Sequence, residues 1–185
     1  MTDSYLLHNG TRVFTDSSER PSMASFMLAY FSAVKGKKKV LEMCSGSGIV
    51  SFWNYDRGFC GKTVMVDIRS DQLKLADMTA SANGLDVETV NGDASSYRSD
   101  ERFDAVICNP PFYNEQDQSA DPDKKAFRHE NGLDPDSLFR TALQTYLRAL
   151  ETMDWNRKRS GSADTVQTGF LFLCLSMPYS REARN

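Results

Sequence analysis

Short apolar runs alternate along this chain with stretches whose apolar residues recur every three or four positions. The runs are Val40-Leu41-Glu42-Met43, Thr63 to Ile68, Glu88 to Val90, Phe103 to Cys108 and Gly169 to Leu175. Most are bounded by turn residues, and all are short for a helix, so each predicts a buried strand. The last is apolar throughout, as in a parallel strand covered on both faces. Ser22 to Val34 predicts an amphipathic helix with Met23, Phe26, Met27, Tyr30, Phe31 and Val34 at helical spacing as packing residues. Ile49 to Tyr55 predicts a second. Ser70 is the expected N-cap of a third helix, which carries Leu73, Leu75, Ala76 and Met78 and stops at Asn83-Gly84. Asp134-Pro135 starts a fourth, with proline at the first helical position. Leu138, Phe139, Ala142, Leu143, Tyr146, Leu147 and Leu150 lie on one face of it. Residues 1–20 read as polar and irregular, 114–132 as a long charged loop of the kind that carries function or stays disordered, and 157–168 as a polar linker.

Strands alternating with helices at this spacing predict an α/β fold with a doubly wound, mostly parallel sheet. A chain of 185 residues suits one domain: an N-terminal segment and helix over 1–36, then the core over 37–185. Ligands of such sheets bind at the carboxyl ends of the strands. Glu42 to Gly48, Asp67, Asp93 and Asn109 to Phe112 all fall at such ends, so four strand ends converge on one site.

Composition excludes several classes. The net charge is −3, so no global basic signature for nucleic acid is present. Local basic clusters at Lys35, Lys37, Lys38 and Lys39, and at Arg157, Lys158 and Arg159, read as solvated surface. No apolar stretch is long enough to span a membrane, and the N-terminus lacks a signal-peptide pattern. The four cysteines, Cys44, Cys60, Cys108 and Cys174, form no C-x-x-C pair. They fit a reducing, cytoplasmic setting without disulfides or a zinc site. His8 and His129 are too isolated to argue for metal. Trp53 and Trp155 read as packing residues.

Asn109-Pro110-Pro111-Phe112 is the most specific motif. Two prolines fix two φ angles and remove two donors, so the chain leaves its strand as a stiff corner with free carbonyls. The Asn109 side-chain oxygen and the Pro110 carbonyl can each accept one N–H of a planar amine. They place acceptors where charge develops on that nitrogen. Phe112 can stack on the flat group.

Glu42-Met43-Cys44-Ser45-Gly46-Ser47-Gly48 is a glycine-containing turn, and Asp67 follows about twenty residues on, an offset that suits a carboxylate on ribose hydroxyls. A dinucleotide would need a third glycine to bring pyrophosphate onto the helix. The acid at Glu42 suits a positively charged cofactor such as S-adenosylmethionine instead, and Asp93 could accept the adenine amine.

Together, 42–48, 67, 93 and 109–112 resemble the Rossmann-like class I methyltransferases of the N6-adenine/N5-glutamine type. Ala126-Phe127-Arg128-His129-Glu130 ahead of a helix, and Phe14 to Phe31 with Arg20-Pro21-Ser22, look like the tRNA1(Val) adenine-N6 methyltransferase family. The resemblance runs over roughly 10–178. It implies cofactor contacts from Glu42, Cys44, Gly46, Gly48, Asp67, Ile68, Asp93, Ala94 and Asn109. It implies catalysis by Asn109, Pro110 and Phe112, and substrate contacts from Pro111, Phe112, Tyr113, Arg128 and His129. Cys44 stands where that motif usually has glycine, and Phe112 where tyrosine is common. The family's sheet has two further strands, so the C-terminal strands are expected to be missing. A second copy or a partner subunit is then expected over the edge near 170–175. The functional expectation is N6 methylation of adenine in RNA, with tRNA first. Protein glutamine-N5 methylation, DNA adenine methylation (without a visible target-recognition domain) and a non-catalytic cofactor-binding subunit stand as alternatives.

Overall fold

The central sheet forms because five short runs pair in parallel, and its middle strands, over Lys39–Met43, Lys62–Asp67 and Ala105–Cys108, are buried on both faces. The computed structural model of the protein describes residues 2–17, 21–110, 138, 140–142, 144 and, as backbone, 170–173. In chain order the elements are β1 (Thr2–Leu6), β2 (Arg12–Asp16), α1 (Met23–Ser32), β3 (Lys39–Met43), α2 (Ile49–Asp56), β4 (Lys62–Asp67), α3 (Ser70–Asn83), β5 (Val87–Asn91), β6 (Ala105–Cys108) and β7 (Phe170–Leu173). The large sheet has the order β5-β4-β3-β6-β7, and all its pairings are parallel. The order reverses between β3 and β6, where an open doubly wound sheet opens a crevice at its carboxyl edge. Met43 pairs with Cys108 there, so Cys44 and Asn109 leave neighbouring strands side by side.

Side chains alternate across the sheet. Val40, Met65, Ala105 and Ile107 pack against Leu28, Phe52, Leu73 and Ala76 from α1, α2 and α3. Leu41, Met43, Val64, Val66, Val106 and Cys108 pack on the other face with Ala94, Phe103, Leu138 and Ala142. Leu138, Arg140 to Ala142 and Gln144 have helical backbone, which falls within the predicted fourth helix. The rest of that helix, the 114–132 loop and the 157–168 linker lie outside the described residues. Among the described residues, no helix is long and apolar enough to cross a membrane.

Two expectations are corrected. Residues 1–20 are not irregular: β1 and β2 form an antiparallel hairpin. Tertiary hydrogen bonds hold it. The Asp56 carboxylate accepts Asn9 N–H at 2.9 Å and Thr11 N–H at 3.0 Å, and Thr79 Oγ1 accepts Phe14 N–H at 3.0 Å. Asn83 accepts from Arg12 N–H and donates back to its carbonyl.

The second correction is the phase of α1. Its buried face is Ser25, Leu28, Ala29 and Ser32, while Met23, Met27, Tyr30 and Phe31 are exposed, Tyr30 by 66%. The small residues face inward because α1 lies close against α2. Asn54 Nδ2 donates to Ser32 Oγ at 3.1 Å, and the Phe26 and Trp53 rings meet edge to face at 4.7 Å. A smaller difference concerns α3: Arg69, not Ser70, is its N-cap.

Candidate active site

The first strand end at the crevice is a left-handed turn braced on its neighbour. Cys44, Gly46 and Gly48 have φ of 54°, 53° and 81°. Ser45 N–H donates to the Val66 carbonyl at 3.2 Å, and Gly48 N–H to the Ser45 carbonyl at 2.9 Å. A side chain at Gly48 would collide with Met65 Sδ at 2.7 Å and Phe52 Cε2 at 2.9 Å, so this position requires glycine on two counts. Cys44 occupies its left-handed φ despite a Cβ. Its thiol hydrogen-bonds with Cys108, which together with burial holds it well above the usual thiol range. It therefore stays a protonated small hydrophobe.

Both carboxylates of this region grip backbone. Glu42 is only 2% exposed, and its Oε2 accepts Ser51 N–H at 3.1 Å. Ser51 lies in the first turn of α2, so the charge also meets the positive end of the helix dipole. Asp67 Oδ2 accepts Gly46 N–H at 2.8 Å and Oδ1 accepts Arg69 N–H at 2.8 Å. Burial raises the Asp67 pKa, and those two backbone bonds oppose the rise. Asp67 thus locks the glycine turn to the end of β4. The next strand end is more open. Asp93 is exposed and closes a turn by accepting Ser95 N–H and Oγ–H, both at 2.8 Å. Ile68 is exposed and Ala94 buried.

The second strand end at the crevice behaves differently. Asn109 Nδ2 donates to Ser25 Oγ at 3.0 Å. Its Oδ1 is buried and has no hydrogen-bond partner among the described residues. Pro110 is buried beside it. An amide oxygen left without a donor in the interior costs about 1–3 kcal/mol, so its exception calls for a physical reason. Pro111, Phe112, Tyr113, Arg128 and His129 lie outside the described residues.

Glu42, Cys44, Gly46, Gly48 and Asp67 therefore converge on the switch point with Asn109. Asp93, Ala94 and Ile68 stand at the neighbouring strand ends. Sequence reasoning missed Ser25; its signal was a pair of small polar residues, Ser25 and Ser32, on a helical stripe with Leu28 and Ala29.

Residues 6–138 match the model of the methyltransferase small domain. The chain belongs to that family. S-adenosylmethionine is the family's methyl donor, and the site's chemistry fits it. Ser45 Oγ, in the glycine turn, is buried without a partner among the described residues, and carboxylates stand at the ends of the two following strands, Asp67 on β4 and Asp93 just beyond β5. Among curated relatives, a tRNA1(Val) (adenine(37)-N6)-methyltransferase of Aliivibrio fischeri is 23% identical over 60% of this chain and 49% of its own. A ribosomal protein uL3 glutamine methyltransferase of Bordetella pertussis is 28% identical over 52% of this chain and 32% of its own. The chain spans about half the length of the tRNA methyltransferases it matches. Among solved structures, the Pyrococcus abyssi tRNA (uracil-54, C5)-methyltransferase, in complex with S-adenosyl-L-homocysteine, aligns with a TM-score of 0.53 and 19% identity. The alignment covers 84% of this chain and 37% of that one. That likeness bears on the fold alone.

Proposed function

We propose that this methyltransferase domain methylates a planar amine, adenine N6 in RNA, with tRNA as the favoured substrate class and the cytoplasm as its setting. The single observation that carries the reading is the buried Asn109 Oδ1 at the switch point, without a partner among the described residues and one strand away from the cofactor turn. An amide or exocyclic NH2 presents two N–H groups. Asn109 Oδ1 would accept one and the Pro110 carbonyl the other. Together they would orient the nitrogen lone pair and stabilise positive charge as it develops. Bound S-adenosylmethionine would supply an electrophilic methyl on a sulfonium, with S-adenosylhomocysteine as the leaving product, and the surplus proton of the methylated nitrogen would pass to water. Glu42 and Asp67 hold the turn that receives the cofactor, and Asp67 and Asp93 are proposed to receive its ribose and adenine. Pro111, Phe112, Tyr113, Arg128 and His129 are proposed to grip the substrate.

The relatives named for tRNA adenine support the nucleic-acid substrate. The uL3 relative supports a second reading, methylation of a glutamine carboxamide, which offers the same NH2 geometry. Tritiated S-adenosylmethionine incubated with total tRNA, rRNA and protein fractions separates the two. Label recovered as N6-methyladenosine from RNA, abolished by Asn109→Ala, is the expected result. Label only in protein would replace the first reading by the second. Label in no fraction, with cofactor binding intact by calorimetry, would favour a non-catalytic partner subunit.

A further inference from the structure

The acceptor oxygen of Asn109 is one end of an amide, and the other end is tied to a different part of the molecule. Asn109 Nδ2 reaches Ser25 Oγ at 3.0 Å, across the fold from β6 to the first turn of α1. Ser25 is 7% exposed. Its Oγ lies 3.0 Å from Ser22 Oγ, and its N–H donates to the same Ser22 oxygen at 3.1 Å. Ser22 is the N-cap of α1, with extended backbone at φ −82° and ψ 161°.

We propose that Ser25 is a positioning residue that selects which end of the Asn109 amide faces the substrate. With the Ser25 hydroxyl proton directed to Ser22 Oγ, the lone pairs of Ser25 Oγ are left to accept from Asn109. An amide can turn over by 180° at little steric cost. The turned form would point an NH2 group at an incoming NH2 group, donor against donor, and no hydrogen bond would form. The tie to Ser25 holds the nitrogen away and leaves the oxygen where an N–H is to be received. This accounts for a buried acceptor that has no partner among the described residues while its own NH2 group is bonded. It also gives a role to Ser25 on the buried stripe of α1, where serine is a poorer helix former than alanine; the other buried serine of that stripe, Ser32, accepts from Asn54 instead. Two other ties hold α1 in place, Asn54 to Ser32 Oγ and the Phe26–Trp53 ring contact. Loss of the Ser25 hydroxyl therefore frees the amide without releasing the helix.

The inference rests on the methyl-transfer reading for its consequence and on the amide geometry for its content, so two readouts test it. In steady-state transfer to total tRNA, Ser25→Ala is expected to lower kcat about 10-fold or more, consistent with the cost of a misplaced reacting group. The KM for S-adenosylmethionine should stay within about twofold, since no cofactor contact is removed. In the side-chain amide region of a 15N NMR spectrum, the Asn109 NH2 protons should exchange with water about 10-fold faster in Ser25→Ala than in the wild type, as a hydrogen-bonded donor is released. Ser25→Thr keeps the hydroxyl and should keep both values near wild type. If the wild type methylates no fraction, the functional reading fails, and the exchange measurement still decides whether Ser25 holds the amide. Ser25→Ala with unchanged amide exchange overturns the proposal, as does a kcat within twofold of an active wild type.

Discussion

Two neighbouring strand ends, in register across the switch point, are built on opposite plans. Around the β3 end, the carboxylates of Glu42 and Asp67 are occupied with backbone N–H groups of the turn, of α2 and of Arg69 at the start of α3. After β6, the Asn109 amide is held by its nitrogen, and its oxygen has no donor among the described residues. At one end the carboxylates are committed to backbone; the other keeps an amide acceptor open. Carboxylates that shape a turn for a bound cofactor can be engaged beforehand, whereas a group that must meet a reacting nitrogen needs a vacant lone pair. The comparison therefore predicts that damage at the first end appears in folding and cofactor affinity, and damage at the second in the rate of transfer.

The largest effect is expected at the open end. Asn109→Ala should lower methyl transfer by about 10²–10³-fold, the loss typical of one preorganised partner in a transition state. Its melting temperature should move by less than about 4 °C, because among the described residues the side-chain bond lost is the one to Ser25. A large fall in stability would erase the contrast between the two ends. Next comes Gly48→Ala, which adds a Cβ at φ +81° against Met65 and Phe52. Strain and overpacking together should cost about 2–4 kcal/mol in urea unfolding. Glu42→Gln keeps the shape and removes the charge at the α2 N-terminus, and should cost about 1–2 kcal/mol by the same measurement. The smallest effect belongs to Cys44→Gly. Relief of the left-handed backbone opposes the added flexibility of the unfolded chain, so stability should change by less than about 1 kcal/mol.

The pH dependence sharpens the scaffold side of the comparison. Burial raises the folded pKa of Asp67 above its ordinary 3.8. As pH rises from that value to the raised one, the unfolded chain loses this proton first, so stability contributed by Asp67 falls over that window and is level above it. Asp67→Asn should lack this slope when unfolding is followed against pH.

The strands and the two ends of the site were legible in sequence because buried parallel strands read as apolar runs and because glycine and proline punctuate them. β3, β4, β5, β6 and β7 all fall on predicted runs, and Asp67 and Asn109 stand where the strand ends put them. The β1–β2 hairpin was not legible, since Asp56, Thr79 and Asn83 hold it from distant parts of the chain. The phase of α1 was misread for a related reason. Its larger apolar residues Met23, Met27, Tyr30 and Phe31 face outward, and closeness to α2 selects serine and alanine inside, so the size of the apolar residues pointed the wrong way. Arg57 lying over the Tyr30 ring at 5.3 Å supports one of those exposed aromatics. Ser25 was missed because its partner is 84 residues away in sequence, beyond any local pattern.

Calorimetry of S-adenosyl-L-homocysteine binding tests the division of labour most directly, with Asp67→Asn and Asn109→Ala compared against the wild type. The account predicts that Asp67→Asn weakens binding by about 10-fold or more, through loss of the charge-assisted bonds that lock the turn. Asn109→Ala should bind within about threefold of the wild type. The reverse pattern, with affinity lost at Asn109 and kept at Asp67, would contradict it.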